Sequence, residues 1–286
     1  MDIEDAKKKA GILLEGLPYI QKYEGKTVVV KYGGAAMTDD TLKSAVMRDV
    51  VLMSLVGMKI VLVHGGGPEI SSVLKQFGKD TVFVDGLRYT DAETAEIVAM
   101  VLAGKVNKSL VSLIHKARGR AVGLCGVDGG MLRVEKMPGK DLGYVGKIVS
   151  VDISSVRLAL DSGFIPVVAT IGIDDDGQVY NINADTAAAE LAAALRAEKL
   201  IMLTDVCGVL RDPADDASLI GDIPLRELPE LIESGVISGG MIPKIDSCRE
   251  GIRKGLKEAA IIDGRVEHSI LLELFSDSGF GTLLHR

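Results

Sequence analysis

The sequence predicts an α/β protein in which a mainly parallel, open sheet is sandwiched between helices. Two observations lead to this prediction. Six short, continuously apolar runs each lead into a turn that contains glycine, and such runs are typical of parallel strands buried on both faces. Amphipathic stretches with helical spacing separate these runs, and repeated strand–helix alternation is the pattern of an α/β fold.

The composition limits the classes of protein that this chain could represent. Its 286 residues are enough for about two domains or one large one, and its 47% hydrophobic residues exclude disorder as the main state. With 33 basic and 40 acidic residues, a net charge of −7, the chain is a poor match for nucleic acid or an anionic membrane. Three widely spaced cysteines, an acidic start and no apolar run near the length of a membrane span predict a cytoplasmic protein without a zinc site.

The first predicted element is a helix over residues 5–23, where apolar residues recur at helical spacing. Pro18 lies inside this pattern and is expected to kink or restart the helix. The apolar stripe has no partner next to it in the sequence. It could therefore pack on its own domain or on another subunit, and the sequence leaves both interpretations open.

Strands and helices then alternate along the rest of the chain. The predicted strands cover residues 27–30, 60–63, 121–124, 165–169, 200–203 and 259–262. The predicted helices cover residues 39–56, 68–77, 91–118, 152–162, 184–197, 227–234 and 244–256. Two polar, irregular segments, 131–150 and 173–183, are expected to hold short hairpins.

Glycine pairs follow the first two predicted strands and indicate an anion-binding site. Gly33-Gly34 and Gly65-Gly66-Gly67 stand where the chain leaves a strand and enters a helix. Glycine lets backbone N–H groups approach an anion closely, and a helix N-terminus adds a partial positive charge. Tight turns without a ligand are the alternative interpretation, but two such turns at one sheet edge favour anion binding.

Three polar residues near strand or helix ends are further candidates. Lys31 ends a buried strand, where a lysine is costly unless it meets an anion, although it could also extend to the surface. Lys244 lies at the start of a predicted helix, where a solvated side chain is the ordinary interpretation. Asp185 starts another helix, where a helix cap is an equally good explanation. His64 is expected to be structural.

Six motifs occur in order along the chain and together carry a resemblance. They are Lys31-Tyr32-Gly33-Gly34, His64-Gly65-Gly66-Gly67-Pro68, Asp85-Gly86-Leu87-Arg88, Asn181-Ile182-Asn183-Ala184-Asp185, Thr204-Asp205-Val206-Cys207-Gly208-Val209 and Gly239-Gly240-Met241-Ile242-Pro243-Lys244. The set closely resembles the N-acetylglutamate kinases of the amino acid kinase family over essentially the whole chain. The resemblance implies an αβα three-layer sandwich. It also implies a lobe for the acylated amino acid over residues 26–172 and a lobe for ATP and arginine over 173–286. The kinked helix at 1–25 would serve oligomerisation.

The resemblance further implies an ATP-dependent carboxyl kinase of arginine biosynthesis. It would transfer the γ-phosphoryl group of ATP, bound with Mg²⁺, to the γ-carboxylate of N-acetyl-L-glutamate, without a metal site in the protein. Lys31 and Lys244 would neutralise the phosphates, and Asp185 would hold both ammonium groups. The N–H groups of Gly34 and Gly66 would contact the phosphoryl group. Gly66, Gly67, Asn181 and Arg88 would bind the acyl substrate, with Arg88 on its α-carboxylate.

Two more sets of residues follow from the same resemblance. The nucleotide would contact Asp205, Val206, Cys207, Gly208, Val209, Leu210, Val236, Ile237 and Ser238. L-Arginine would act as a feedback inhibitor near Lys199, His268, Glu273, Ser278, Gly279 and Gly281. The assembly would be a homohexamer built as a trimer of dimers. Two alternatives stay open: an N-acetylaminoadipate kinase of a lysine-type pathway, and a non-catalytic nucleotide-binding protein on the same fold.

Overall fold

The computed structural model describes residues 3–277 and 279–286, and strands and helices alternate along them as expected. The helices are α1 (Ile3–Glu15), α2 (Leu17–Tyr23), α3 (Asp40–Leu55), α4 (Gly67–Gln76), α5 (Ala92–Ala99), α6 (Asn107–Lys116), α7 (Ser154–Asp161), α8 (Ala184–Ala194), α9 (Leu228–Glu233), α10 (Met241–Lys254) and α11 (Ser269–Leu274). A π-helical segment, Met100–Val106, joins α5 to α6. Short 3₁₀ turns lie at Gly34–Met37, Asp128–Gly130, Asp216–Ser218 and Leu225–Glu227.

The strands fall into one large sheet and two small ones. They are β1 (Thr27–Tyr32), β2 (Lys59–His64), β3 (Phe83–Val84), β4 (Leu87–Arg88), β5 (Ala121–Cys125), β6 (Leu132–Lys136), β7 (Gly146–Val151), β8 (Ile165–Ala169), β9 (Ile171–Ile173), β10 (Val179–Asn181), β11 (Lys199–Thr204), β12 (Asp222–Pro224), β13 (Glu258–Asp263) and β14 (Thr282–His285). The large sheet has eight strands in the order β12-β14-β13-β11-β1-β2-β8-β5. The order β10-β9-β6-β7 forms a second sheet, and β3 pairs with β4.

The large sheet confirms the prediction of a mainly parallel, open sheet. The six strands from β13 to β5 in this order run parallel to one another. Only β14 pairs antiparallel with β13, and β12 then pairs parallel with β14. The four-stranded sheet lies in or beside the segments where short hairpins were expected, because β6–β7 and β9–β10 pair antiparallel there.

Helices cover both faces of the large sheet, which makes the molecule a three-layer sandwich. Side chains alternate between the faces along each strand. Val28 and Val30 of β1 therefore join the core that lies under α3, α4, α5, α6 and α11. Val29 points the other way, into the core that lies under α7, α8, α9 and α10.

The N-terminal segment forms two helices where the sequence predicted one kinked helix. The break falls at Gly16, and Pro18 lies in the first turn of α2, where a proline is tolerated. Leu13 and Leu14 of α1 are 76% and 67% exposed, so α1 does not pack its apolar residues on its own domain. Tyr23 at the end of α2 is by contrast fully buried in the core.

The helical segment Ala92–Lys116 corrects the expectation that no apolar segment approaches the length of a membrane span. It is long and apolar enough to cross a membrane by length and composition, with a mean hydropathy of 1.6 in its most apolar window. In the structure it packs against the large sheet, where Leu110 and Ile114 are buried. A core helix of a soluble protein passes the same test of length and hydropathy, so the segment is weak evidence for a membrane span.

Candidate active site

The two glycine turns open at the same edge of the large sheet. Strands β1 and β2 are parallel neighbours, and Tyr32 at the end of one pairs with His64 at the end of the other. Gly33-Gly34 and Gly65–Gly67 follow directly. The carboxyl ends of adjacent parallel strands are where ligands bind in open α/β sheets. The turns therefore lie where the sequence placed an anion site.

Gly33 and Gly34 are glycines because larger residues would collide with polar groups of the site. A Cβ at position 33 would lie 2.6 Å from Nζ of Lys31. A Cβ at position 34 would overlap the carboxylate of Asp205. Gly34 also has φ +69°, a conformation that strains residues with a side chain. The turn therefore stays open for a ligand between a lysine and an aspartate.

Asp185 binds two lysines that come from distant parts of the chain. Its Oδ1 lies 2.9 Å from Nζ of Lys31, on β1. Its Oδ2 accepts a hydrogen bond of 2.7 Å from Nζ of Lys244, in the first turn of α10. Lys31 is buried, so the interpretation of Lys31 as a lysine that extends to the surface is wrong.

Asp185 is available for this role because another residue caps its helix. The side chain of Asn183 accepts hydrogen bonds of 3.0 Å from the N–H groups of Asp185 and Thr186. The helix-cap interpretation of Asp185 is therefore wrong. Asp185 stands in the first turn of α8, where the helix dipole also stabilises a carboxylate.

The charges of this cluster favour a bound anion. Burial raises the pKa of Asp185, but the ammonium groups of Lys31 and Lys244 outweigh burial and lower that pKa to about 2. The carboxylate therefore stays ionised at neutral pH, and the three side chains carry one net positive charge. A positive cluster in a poorly solvated place attracts anions more effectively than the same cluster in water.

A first cavity of about 550 Å³, open to solvent, lies beside this cluster. The residues that line it come from the turn after β2, the β3–β4 hairpin, the π-helical segment and the approach to α8. Among them are Gly65, Gly66, Gly67, Arg88, Asn181, Asn183 and Ala184. The structure therefore brings together all four residues that the sequence assigned to the acyl substrate. Ala184 is the direct neighbour of Asp185, so this cavity extends to the residue that precedes the carboxylate of the cluster.

Arg88 is a buried cation in the wall of the first cavity. It is 6% exposed, and its guanidinium donates to the carbonyl oxygen of Gly67 and to the hydroxyl groups of Ser71 and Thr81 at 3.0 to 3.1 Å. Within residues 3–277 and 279–286 no carboxylate forms an ion pair with it, and burial lowers its pKa. A buried charge is costly unless it is paired. Arg88 is thus suited to bind an anionic ligand.

A second cavity of about 720 Å³ lies on the other side of the cluster. It is lined by Lys31, Gly34, Leu203, Thr204, Asp205, Val206, Gly240, Met241 and Lys244. Both lysines of the cluster line its wall, so the cluster separates the first cavity from the second. A ligand with phosphates in the second cavity could reach a carboxylate in the first.

Only part of the nucleotide set predicted from the sequence lines this second cavity. Asp205 and Val206 do, whereas Val209 and Ile237 are buried in the core. Cys207, Gly208, Leu210, Val236 and Ser238 are not among the lining residues. Gly240 and Met241 line the cavity but were missed. The helix start that holds Lys244 could have indicated them, because helix N-termini are common phosphate-binding positions.

A third cavity, of about 820 Å³, lies between α2, α11 and the end of β14. Four of the six residues assigned to arginine line it: Lys199, Glu273, Gly279 and Gly281. Lys199 is buried and pairs with Glu273 at 2.8 Å and with Glu258 at 3.1 Å. Burial lowers the pKa of Lys199, but these carboxylates outweigh burial and raise it above its usual value.

The remaining two residues of that set lie elsewhere or outside the described chain. His268 does not line the third cavity; its Nδ1 lies 2.6 Å from Oδ1 of the buried Asp49 on α3. Ser278 lies outside the described residues. Tyr19 and Lys22 of α2 line this cavity as well, which the sequence did not indicate.

His64 has the environment of a structural residue. It is fully buried, and its Nε2 lies 3.1 Å from the side-chain amide of Asn107. Burial lowers its pKa to about 4, so the imidazole is neutral at pH 7. Its Nδ1 lies 2.8 Å from the carbonyl oxygen of Gly65 and can donate to it, which braces the second glycine turn.

Comparison with known proteins identifies the class to which this fold and site belong. Residues 26–263 match the amino acid kinase family, and the chain belongs to that family. It is 54% identical to proteins named acetylglutamate kinase from Clostridium kluyveri and Clostridioides difficile. The alignments cover 96% and 98% of this chain and 98% of each relative. An acetylglutamate kinase of Caldanaerobacter subterraneus is 56% identical over 97% of this chain and 93% of that protein.

Solved structures agree with the assignment of the fold. N-acetylglutamate synthase of Neisseria gonorrhoeae, complexed with coenzyme A and N-acetyl-glutamate, superposes with a TM-score of 0.84 at 28% identity. The superposition covers 97% of this chain but only 63% of the synthase chain. Carbamate kinase of Giardia lamblia superposes with a TM-score of 0.65 at 18% identity, over 92% of this chain and 99% of that chain, which indicates a shared fold alone.

Proposed function

We propose that this protein transfers the γ-phosphoryl group of ATP to the γ-carboxylate of N-acetyl-L-glutamate. The observation that carries the proposal is the cluster in which Asp185 holds Lys31 and Lys244 between the first and second cavities. Acyl substrate would occupy the first cavity and ATP the second. The relatives named acetylglutamate kinase support this choice of substrate.

The proposed reaction needs no general base, because a carboxylate is already a nucleophile at neutral pH. An oxygen of the γ-carboxylate attacks the γ-phosphorus of ATP, and the bond between that phosphorus and the β–γ bridging oxygen breaks. ADP leaves with the bonding electrons, and the product is an acyl phosphate. Catalysis then requires alignment of two anions and neutralisation of their repulsion, which the ammonium groups of Lys31 and Lys244 supply.

The backbone would contribute the remaining contacts to the moving phosphoryl group. The N–H groups of Gly34 and Gly66 belong to the two turns at the sheet edge, one on the ATP side and one on the acyl side. Preorganised donors of this kind stabilise the transition state when they point at the developing charge.

Mg²⁺ would enter with ATP as part of the substrate. Within the described part of the chain, no group of three or more His, Cys, Asp or Glu side chains is arranged to hold a metal ion. The phosphates of ATP, together with water, would supply ligands of the ion. Mg²⁺ would neutralise charge on the β- and γ-phosphates, as it does in other phosphoryl transfers.

The acyl substrate would be oriented by Arg88 and Asn181. The planar guanidinium of Arg88 can bind the α-carboxylate through two parallel hydrogen bonds. Asn181 would hydrogen-bond the N-acetylated part. The proposed enzyme has one lobe for the acyl substrate over residues 26–172 and one for ATP over residues 173–286. Because Asn181 and Ala184 belong to the second lobe, the acyl substrate would bind at the boundary between the lobes.

We also propose that the enzyme is inhibited by arginine and acts in the cytoplasm as a step of arginine biosynthesis. The third cavity contains carboxylates suited to a guanidinium and lysines suited to a carboxylate. N-acetylglutamate synthase of Neisseria gonorrhoeae, also solved with coenzyme A and L-arginine, superposes on this chain with a TM-score of 0.79. Its 26% identity to this chain over 95% of the length supports the idea without extending to residues.

We also propose a homohexamer built as a trimer of dimers, in which α1 packs on another subunit. Ile12, Leu13 and Leu14 of α1 are exposed in the single chain. Exposed apolar residues grouped on one helix are typical of interaction surfaces. Tyr19 of α2 lines the third cavity and packs on Phe275. A rearrangement of α1 and α2 at the interface could therefore reach the arginine site.

The test is an ATP-consumption assay with N-acetyl-L-glutamate, coupled through pyruvate kinase and lactate dehydrogenase. Hydroxylamine present in a parallel reaction traps an acyl phosphate as a hydroxamate, which separates carboxyl phosphorylation from simple ATP hydrolysis. We expect ADP and hydroxamate to form in equal amounts, and arginine to lower both rates. ADP formation that is independent of the acyl amino acid would refute the proposed substrate and favour a protein that only binds nucleotide.

A further inference from the structure

The helix that covers the first cavity is interrupted by an unusual segment. The π-helical residues Met100–Val106 lie between α5 and α6 without a break in the chain direction. Seven residues are a long stretch for this conformation. π-helical turns are rare, usually single, and frequent at functional sites, because the wider turn shifts which side chains face the neighbouring element.

This segment packs directly on the second glycine turn. A Cβ added to Gly66 would lie 2.7 Å from Cδ2 of Leu102 and 3.3 Å from Cγ2 of Val106. Both side chains therefore contact the backbone of Gly66, and both are buried, at 1% and 4% exposure. A side chain so enclosed has few alternative rotamers, so its position fixes the shape of the surface that it forms.

The two side chains face different cavities. Leu102 lines the first cavity together with Gly66 and Arg88. Val106 lines a separate cavity instead, beside Tyr32 and Lys105. The chain thus offers two buried apolar residues of the same helical segment that touch the same glycine, of which only one borders the proposed acyl site.

In the proposed function, a substrate in the first cavity must reach two groups at once. Arg88 would bind its α-carboxylate, and its γ-carboxylate would lie near Ala184, the neighbour of Asp185 and its two lysines. Gly65 packs on Ala184, because a Cβ at position 65 would lie 3.2 Å from the Cβ of Ala184. A substrate that reaches both groups with an acidic side chain one methylene longer would have to bend that side chain towards the wall between them.

We propose that Leu102 is the residue that limits the length of the acyl substrate. This inference rests on the proposed function and deepens it. With Leu102 against Gly66, its side chain would occupy the space that the extra methylene of N-acetyl-2-aminoadipate requires. The π-helical segment is the structural device that brings this side chain to the glycine turn. Discrimination by one methylene in an apolar pocket amounts to about 10- to 200-fold in kcat/KM.

The test compares kcat/KM for N-acetyl-L-glutamate and N-acetyl-L-2-aminoadipate in the full-length protein and its variants. Leu102→Ala removes three carbon atoms from the wall of the first cavity. We expect the ratio of kcat/KM, longer over shorter substrate, to rise by about tenfold or more. Leu102→Val should raise the same ratio by a smaller factor, and it decides the question if the alanine variant does not fold.

Val106→Ala is the matched control, because it removes buried carbon atoms from the same segment and the same glycine contact. We expect it to lower thermal stability but to leave the substrate ratio unchanged within about twofold. A ratio that stays constant in both Leu102 variants would overturn the inference, and so would an equal rise in Val106→Ala. A wild-type protein that uses both substrates equally well would also overturn it.

The proposed function fails in a different way. A wild-type protein that phosphorylates neither acyl amino acid would refute the kinase assignment itself, before any variant is compared. A wild-type protein that phosphorylates N-acetyl-L-glutamate while Leu102→Ala keeps the same preference would leave the kinase assignment intact and remove only the role of Leu102.

Discussion

Replacing Asp185 by asparagine tests the centre of the proposed mechanism. The change keeps the shape of the side chain and removes the charge between Lys31 and Lys244. The two ammonium groups then repel each other and lose the carboxylate that fixes them. ATP should still bind, because the net charge of the cluster rises from one positive to two. We expect kcat to fall about 100- to 1000-fold, the usual loss when one preorganised electrostatic element is removed.

The stability change can be worked out from the pKa of the same group. The pKa of Asp185 falls from 3.8 to about 2 on folding, which corresponds to roughly 2 kcal/mol of stability. Because the folded pKa is lowered, this stabilisation is present above pH 4 and is lost as the pH falls through 2. Removing one partner of a buried ion pair leaves unpaired charge and costs about 3–5 kcal/mol. We expect Asp185→Asn to lower the free energy of unfolding, measured with urea, by about 2–5 kcal/mol.

The assay is ADP release with N-acetyl-L-glutamate, together with ATP binding measured by calorimetry. Asp152→Asn is a suitable control, because Asp152 is exposed and accepts a hydrogen bond from the N–H of Ser154 at the start of α7. It should change kcat less than twofold. If Asp185→Asn keeps kcat within tenfold of the wild type while both proteins are folded, the pairing of Asp185 with the two lysines is not needed for turnover and the proposed mechanism is wrong.

Three other perturbations follow from the geometry. Arg88→Lys keeps the charge but loses the planar fork, so KM for the acyl substrate should rise about 10- to 100-fold with a smaller change in kcat. His64→Gln should remove a pH dependence of stability: burial lowers the pKa of His64 to about 4, so the unfolded state binds more protons below pH 6.5. Between pH 7 and pH 5, the free energy of unfolding measured with urea should fall by about 2 kcal/mol more in the wild type than in this variant. Removal of residues 1–16 takes away α1 and keeps the buried Tyr23, and it should reduce the particle to dimers and weaken arginine inhibition.

Each of these three expectations has a clear contrary result. An unchanged KM in Arg88→Lys would mean that the α-carboxylate binds elsewhere. If stability depends on pH equally in wild type and His64→Gln, the buried imidazole takes up a proton in the folded state as readily as in the unfolded state. Sedimentation of the truncated protein as an unchanged particle would exclude α1 from the interface between dimers.

Much of the fold could be predicted because its determinants are local in the sequence. The apolar run at Thr27–Val30 and the amphipathic pattern of 39–56 identify a buried strand and the helix that follows it, and the structure has both. Pro18 marked the restart of the N-terminal helix. Hydrophobic periodicity and turn residues report local conformation directly, because each acts over a few neighbouring residues.

The site was predicted less completely. The glycine turns and Lys31 could be recognised from their position at strand ends, whereas the pairing of Asp185 with two lysines was supplied by family resemblance. The sequence did not indicate that Leu102 lines the first cavity or that Asn183 caps α8. The apolar periodicity of the π-helical segment does not distinguish it from a continuous α-helix. Asn183 and Asp185 are both residue types that cap helices, so the sequence alone does not show which of them is the cap.

The sequence by itself determined which segments become strands, helices and glycine turns, and hence an α/β sandwich with an anion site at a sheet edge. Only the tertiary structure decided that β1 lies between β2 and β11, which brings both lysines to one carboxylate. Only the tertiary structure decided that Arg88 is buried without a carboxylate partner among the described residues, and that α1 leaves its leucines exposed. These features depend on contacts between residues far apart in the chain, and no local pattern encodes such contacts.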